Sequence, residues 1–240
     1  LTAATGTRPH TPGLFITGTD TEVGKTILSA ALIAAMCAAG TIVLAHKPAV
    51  SGLDEPPTDW PADHVLLGSL CDMPPEQVAP LRYGPAVSPH LAARLATSPV
   101  KDAEILSAAH EVATRAARED ATLVVEGVGG LLVPLTETLS VRALAAELAL
   151  PILIAARPGL GTINHTLLSI EAARAGKLDA RAVVLTPWPA DPSPMELSNR
   201  QTIERLGKVE VATLPHVAAP ASDLLAAAGE TLPWRSWLER

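Results

Sequence analysis

The residues best suited to chemistry lie in one stretch, Gly18-Thr19-Asp20-Thr21-Glu22-Val23-Gly24-Lys25-Thr26. A short apolar run, Leu14 to Thr17, precedes it, and an almost wholly apolar segment, Ile27 to Ala39, follows. A strand, a glycine-bearing loop and a Gly-Lys-Thr that opens a helix form a cradle for phosphates. Glycine lets the loop turn its N–H groups inward, and the helix dipole adds positive potential at the same point. Lys25 supplies a mobile cation, and the Thr26 hydroxyl completes the oxygen shell of a magnesium ion. Gly18 and Gly24 enclose five residues, one more than the general pattern. Glu22 puts a carboxylate in a phosphate loop, so it points outward or helps to place metal and substrate.

Four further groups lie where apolar runs end. Lys47, in His46-Lys47-Pro48-Ala49-Val50-Ser51-Gly52, follows a strand and points toward the phosphates, unless it is a solvated surface lysine. Asp63 opens a helical pattern as an N-cap or a magnesium ligand. Glu126 ends the apolar run Ala121 to Val125 and is the second metal carboxylate, with Gly127, Val128, Gly129 and Gly130 behind it. Gly161, Thr162, Ile163 and Asn164 open a helix whose free N–H groups make a second anion site. His165 beside them reads as a packing residue. Ser88-Pro89-His90 reads as an N-cap with proline at the first helical position, near a substrate. Pro215-His216-Val217 follows the last strand and flanks a nucleotide base.

These groups need a scaffold. Strands are expected at 14–17, 42–46, 121–126, 151–156, 181–186 and 209–214. Helices are expected at 24–39, 62–71, 88–97, 102–119, 161–175, 194–207 and 221–228. Their alternation predicts an α/β, P-loop NTPase-like single domain over 14–240, with a mostly parallel sheet and helices on both faces. Residues 1–13 are expected to be flexible, and the Pro-rich stretches 56–61, 74–75 and 187–194 to be loops. The 240-residue chain carries a formal charge of −7, only six aromatic residues and two cysteines. It has no basic cluster for nucleic acid. No apolar run is long enough for a membrane span. Cys37 and Cys71 read as reduced core residues, which points to the cytosol. Trp188, Trp234 and Trp237 are open between interface and base-stacking roles.

The set of segments resembles the dethiobiotin synthetases. The matching pieces are Thr17 to Thr26, Lys47-Pro48 with Ser51-Gly52, Ser88-Pro89-His90, Glu126 to Gly130, and Leu160-Gly161 with Ile163-Asn164-His165. The longer loop is this family's own form. The resemblance implies an ATP- and Mg2+-dependent ligase of biotin biosynthesis that carboxylates and closes 7,8-diaminononanoate with CO2. It assigns catalysis to Lys47 and Lys25. It assigns nucleotide binding to Glu22, Val23, Gly24, Lys25, Thr26, Ile27, Asp63, Glu126, Gly127, Val128, Gly129, Thr186, Pro187, Pro215, His216 and Val217. It assigns substrate binding to Thr21, Ser51, Gly161, Thr162, Ile163 and Asn164, and metal binding to Thr26, Asp63 and Glu126. It also implies a cytoplasmic homodimer with shared active sites. Thr186-Pro187 stands where the family often has Asn-Asp, which leaves the nucleoside preference open, and Asp59 is an alternative to Asp63. A nucleotide-driven switch or partition ATPase is the alternative reading of the same loop.

Overall fold

The computed structural model describes residues 12–239. Six strands form one parallel sheet: β1 (Gly13–Gly18), β2 (Val43–His46), β5 (Thr122–Gly130), β6 (Ile152–Ala156), β7 (Ala180–Trp188) and β8 (Glu210–Pro215). Their order is β2-β5-β1-β6-β7-β8, and every pair is parallel. A small parallel pair, β3 (Ala49–Val50) and β4 (Leu81–Arg82), stands beside the main sheet. The helices are α1 (Lys25–Ala38), α2 (Asp63–Leu70), α3 (Pro75–Val78), α4 (Pro89–Leu95), α5 (Asp102–Glu119), α6 (Val141–Leu148), α7 (Thr162–Ala175), α8 (Pro194–Gly207), α9 (Ser222–Gly229) and α10 (Trp234–Leu238).

All six expected strands and seven expected helices are present. From β1 the chain crosses through α1 to β2 on one side. From β5 it crosses through α6 to β6 on the other. Right-handed crossovers in opposite directions put helices on both faces. They also make a switch point at the carboxyl end of β1, where such sheets bind ligands. α1 is buried nearly all round because α2 and α9 cover the side that the sheet does not. Close packing of α9 requires Gly229: a Cβ there would lie 2.1 Å from the Ala31 carbonyl oxygen.

Several expectations need correction. β5 does not stop at Glu126; it runs on to Gly130 because Gly130 pairs with Gly18 across a break in register. β7 likewise continues through Thr186 and Pro187 to Trp188. Proline is tolerated there because the pairing with β8 is interrupted between Leu185 and Trp188. Pro75 opens α3 rather than lying in a loop. Trp234 and Trp237 are 4% and 1% exposed and belong to the core, so neither is free to stack on a base. Cys37 and Cys71 are free thiols and half-buried rather than fully in the core. The expected flexible segment lies outside the described residues for 1–11, whereas Gly13 already begins β1. Among the described residues no helix is long and apolar enough to cross a membrane.

The end of β2 carries one unusual group. His46 is buried, and its Nε2 has no hydrogen-bond partner among the described residues. Burial pushes its pKa from 6.5 down to about 4. Below pH 6.5 the unfolded chain therefore takes up a proton that the folded chain refuses until about pH 4. This contribution is absent above pH 6.5 and destabilises the fold progressively as the pH falls. At about 1.4 kcal/mol per tenfold change in proton affinity, it reaches about 2 kcal/mol by pH 5. Urea unfolding between pH 7 and pH 5 is expected to show this loss, and His46→Gln to flatten that part of the profile.

Candidate active site

Parallel register builds the centre of the site. β2 ends with His46 opposite Val125 of β5, so the next residues along the two chains are Lys47 and Glu126. Both are buried. The Lys47 ammonium donates to Glu126 Oε1 at 2.5 Å and lies 2.7 Å from Asp63 Oδ2. Asp63 is the first residue of α2; Ala62, not Asp63, holds the N-cap position. The Asp63 carboxylate is therefore used on Lys47 rather than on the helix backbone. Thr26, at the start of α1, donates its hydroxyl to the same Glu126 oxygen at 2.9 Å. The other oxygen, Oε2, is buried and has no partner among the described residues.

Charge and burial compete in this cluster. Burial by itself would lower the Lys47 pKa, but the Glu126 and Asp63 carboxylates outweigh it and hold the amine above the ordinary lysine range. Burial would likewise raise Asp63, yet the ion pair with Lys47 and the Thr26 hydroxyl keep it below the usual carboxylate range. Lys25 differs. Burial pulls it down to about 8, partly offset by Glu126. Its ammonium folds back onto the Asp20 carbonyl oxygen at 2.7 Å.

The loop between β1 and α1 is shaped for anions. Gly24 has φ 88°, a left-handed conformation that favours glycine. A Cβ there would stand 2.6 Å from Thr186 Cγ2, so the end of β7 braces the loop from outside. Glu22 also has positive φ, at 53°, and its side chain is exposed. The Arg157 guanidinium, just beyond β6, holds this turn. It donates to the Thr21 carbonyl at 3.2 Å, and to the Glu22 carbonyl at 3.3 and 3.4 Å.

Loop and ion cluster open into one cavity of about 700 Å3. Thr21, Glu22, Gly24, Lys25, Thr26, Ile27, Lys47, Ser51, Asp63, Val128 and Gly129 all line it. Glu126 lies just beneath, bonded to two of the lining side chains. Val23 and Gly127 are buried behind the wall. Asp59 is exposed and is not on the wall, so Asp63 is the carboxylate that the fold brings to the site. Pro215, His216 and Val217 line a separate cavity of about 310 Å3 at the end of β8. Gly161, Thr162, Ile163 and Asn164 are not on the wall of the main cavity. Asn164 is exposed, and neighbouring Leu160 is 94% exposed.

Sequence reasoning missed part of the wall. Ala86, Val87 and Val133 line the cavity beside the expected Ser88 and Pro89. Ser88 stands at the N-cap of α4, but its hydroxyl meets His90 Nδ1 at 3.0 Å rather than capping the backbone. Arg157 was legible by position, since it follows a strand at the ligand end of the sheet.

Comparison with known proteins agrees with this geometry. The model of a family described as "AAA domain" matches residues 12–219. The ATP-dependent dethiobiotin synthetase BioD of Anaeromyxobacter sp. (strain K) is 42% identical over 205 residues, which cover 85% of this chain and 89% of that protein. The chain belongs to the dethiobiotin synthetase family. The BioD of Rhodopseudomonas palustris (strain BisA53) is 37% identical over 219 residues, covering 90% of this chain and 92% of its own. Among solved structures, the signal recognition particle receptor FtsY of Elizabethkingia anophelis superposes with a TM-score of 0.54 at 12% identity. That match covers 93% of this chain and 66% of the FtsY chain, and it shows a shared fold.

In a dethiobiotin synthetase built this way, Arg157 is expected to preorganise the phosphate loop. Arg157→Ala removes its hydrogen bonds to two loop carbonyls, each contributing about 1 kcal/mol or less at an exposed site. Triphosphate affinity measured by calorimetry is expected to fall about three- to tenfold.

Proposed function

We propose that this chain catalyses ATP-dependent carboxylation and ring closure of 7,8-diaminononanoate with CO2, giving dethiobiotin, ADP and phosphate. The observation that carries the reading is the convergence of Lys25, Lys47, Thr26, Asp63 and Glu126 on one cavity beside an anion-binding loop. Family membership supports the same chemistry.

The reaction has three bond-forming steps. One substrate amine attacks CO2 and loses a proton to become a carbamate. A carbamate oxygen attacks the γ-phosphorus of ATP, and ADP leaves. The second amine then attacks the carbonyl carbon, the phosphate departs and the cyclic urea forms. Phosphoryl transfer of this kind needs alignment and neutralised charge more than covalent help. Lys25 and the loop N–H groups hold the phosphates. Lys47 lines the same cavity and stabilises charge on the carbamate and the transferring group. Ser51 and Thr21 contact the diamine.

Thr26, Asp63 and Glu126 would hold Mg2+. The donors are all hard oxygens, and Glu126 Oε2 is buried with no partner among the described residues, which fits such an ion. Among the described residues no group of three His, Cys, Asp or Glu forms a metal cage. That suits Mg2+, which takes a few carboxylates and completes its shell with phosphates and water. Bound there, the ion supplies neutralisation of phosphate charge.

The start of α7, Gly161 to Asn164, lies away from its own cavity, with Gly161 and Asn164 exposed. We assign it to the substrate carboxylate of a partner subunit, in a cytoplasmic homodimer with shared sites. Thr186 stands against Gly24 of the loop, and we assign Thr186 and Pro187, with Pro215, His216 and Val217 of the second cavity, to the nucleoside.

Phosphate release is expected to require diamine and bicarbonate together, with dethiobiotin as product by mass spectrometry; ATP hydrolysis without the diamine would defeat the assignment. Lys47→Ala is expected to lower turnover by about 10^2- to 10^3-fold while nucleotide binding persists. Mixed dimers of Lys25→Ala and Asn164→Ala subunits are expected to regain activity that neither parent has.

A further inference from the structure

Lys47 occupies the position that the proposed metal would need. Its ammonium sits 2.5 Å from Glu126 Oε1 and 2.7 Å from Asp63 Oδ2. The Thr26 hydroxyl lies 2.9 Å from that same Glu126 oxygen. All three side chains assigned to Mg2+ thus gather around one amine. A dication held between the two carboxylates would need oxygens at about 2.0–2.1 Å. An ammonium and a dication do not both fit between them, and at such a separation the two cations repel strongly in a buried site. Charge balance points the same way. Asp63 and Glu126 carry two negative charges, and Lys47 and Lys25 carry two positive ones, so the ligand-free cluster is already neutral.

We infer that Lys47 is the resident cation of the metal site. A divalent ion and the Lys47 ammonium exclude each other between Asp63 and Glu126, and entry of the ion with the triphosphate releases Lys47 into the cavity. The lysine therefore reaches the reacting groups only when metal and nucleotide are in place. One side chain thereby serves two roles: balancing the carboxylate charge before the metal enters, and acting on the substrate afterwards. It rests on the proposed assignment of Asp63 and Glu126 as metal ligands.

The competing arrangement is specific. The free Oε2 of Glu126 would take the metal while Lys47 stays on Oε1. Binding of Mn2+ to the nucleotide-free protein, followed by electron paramagnetic resonance, separates the two. Lys47→Met is expected to bind Mn2+ at least about tenfold more tightly than the wild-type protein, because one carboxylate-bound charge is gone. Lys47→Arg, which keeps the cation, is expected to stay within about threefold of wild type. In the wild-type protein, the side-chain ammonium 15N resonance of Lys47, identified by its loss in Lys47→Arg, is expected to shift on saturation with Mg2+ and a non-hydrolysable ATP analogue. This measurement decides the matter even where Lys47→Met does not fold. An unmoved Lys47 resonance, or Lys47→Met binding no tighter than wild type, overturns the exchange. Glu126→Gln tests the underlying assignment: it is expected to weaken Mn2+ binding in the presence of the analogue at least about tenfold. Unchanged binding there removes the metal assignment and the exchange together. Weakened binding there with an unmoved Lys47 resonance removes the exchange alone.

Discussion

The structure depends on one buried cation. Lys47 lies between Glu126, which is fully buried, and Asp63, whose side chain is 38% exposed, and the Glu126 charge would be left uncompensated without it. Removing one partner of a buried ion pair costs about 3–5 kcal/mol because the other charge is left uncompensated. A pair of apolar residues would serve stability as well or better. The cluster is therefore best understood through what it does at the ligand end of the sheet, where its charges face a cavity.

The rest of the fold delivers these charges to one point. β2 stops one residue before Lys47, and its register with β5 places Lys47 beside Glu126. α2 begins at Asp63, so the carboxylate projects from the first turn toward the same amine. α1 begins at Lys25 and Thr26, which brings the phosphate loop and its hydroxyl to Glu126. Three element ends and one mid-strand residue thus meet. The loop itself is braced by Thr186 behind Gly24 and by Arg157 on its carbonyls. Both braces come from the ends of β6 and β7, on the side of β1 away from β5, so that half of the sheet holds the phosphate loop.

A core of alanine and branched aliphatic residues suits this task. α1 packs against the sheet, α2 and α9 with small side chains, and Gly229 permits the closest of these contacts. The helix that presents the phosphate-binding N-terminus is therefore buried along most of its length. The start of α7 has the opposite character. Leu160, Asn164 and Leu168 are exposed around it, while Thr162 at its first position is buried.

Much of this was legible in the chain itself. Hydrophobic periodicity is a local property, so it located the six main strands and seven helices and implied a parallel sheet with ligands at its carboxyl ends. The Gly-Lys-Thr signature and the residues after each strand marked Lys25, Thr26, Lys47, Ser51 and Glu126 for the same reason. Other features lay beyond it. α6 was not expected although it carried a readable signal, with Ser140 accepting from the Ala143 N–H and apolar residues at Val141, Leu144, Ala145 and Leu148. The short β3 and β4 carried none, since each exists only by pairing with the other. Extension of β5 and β7 past Glu126 and Pro187 depends on neighbours that offer partners. Choice of Asp63 over Asp59, the bond between Lys47 and Glu126, and the grip of Arg157 on the loop join residues from 16 to 136 positions apart. Residue types and their spacing determined which groups are suited to chemistry. Strand register and helix entry points, which are long-range properties of the packed sheet, decided which of those groups touch.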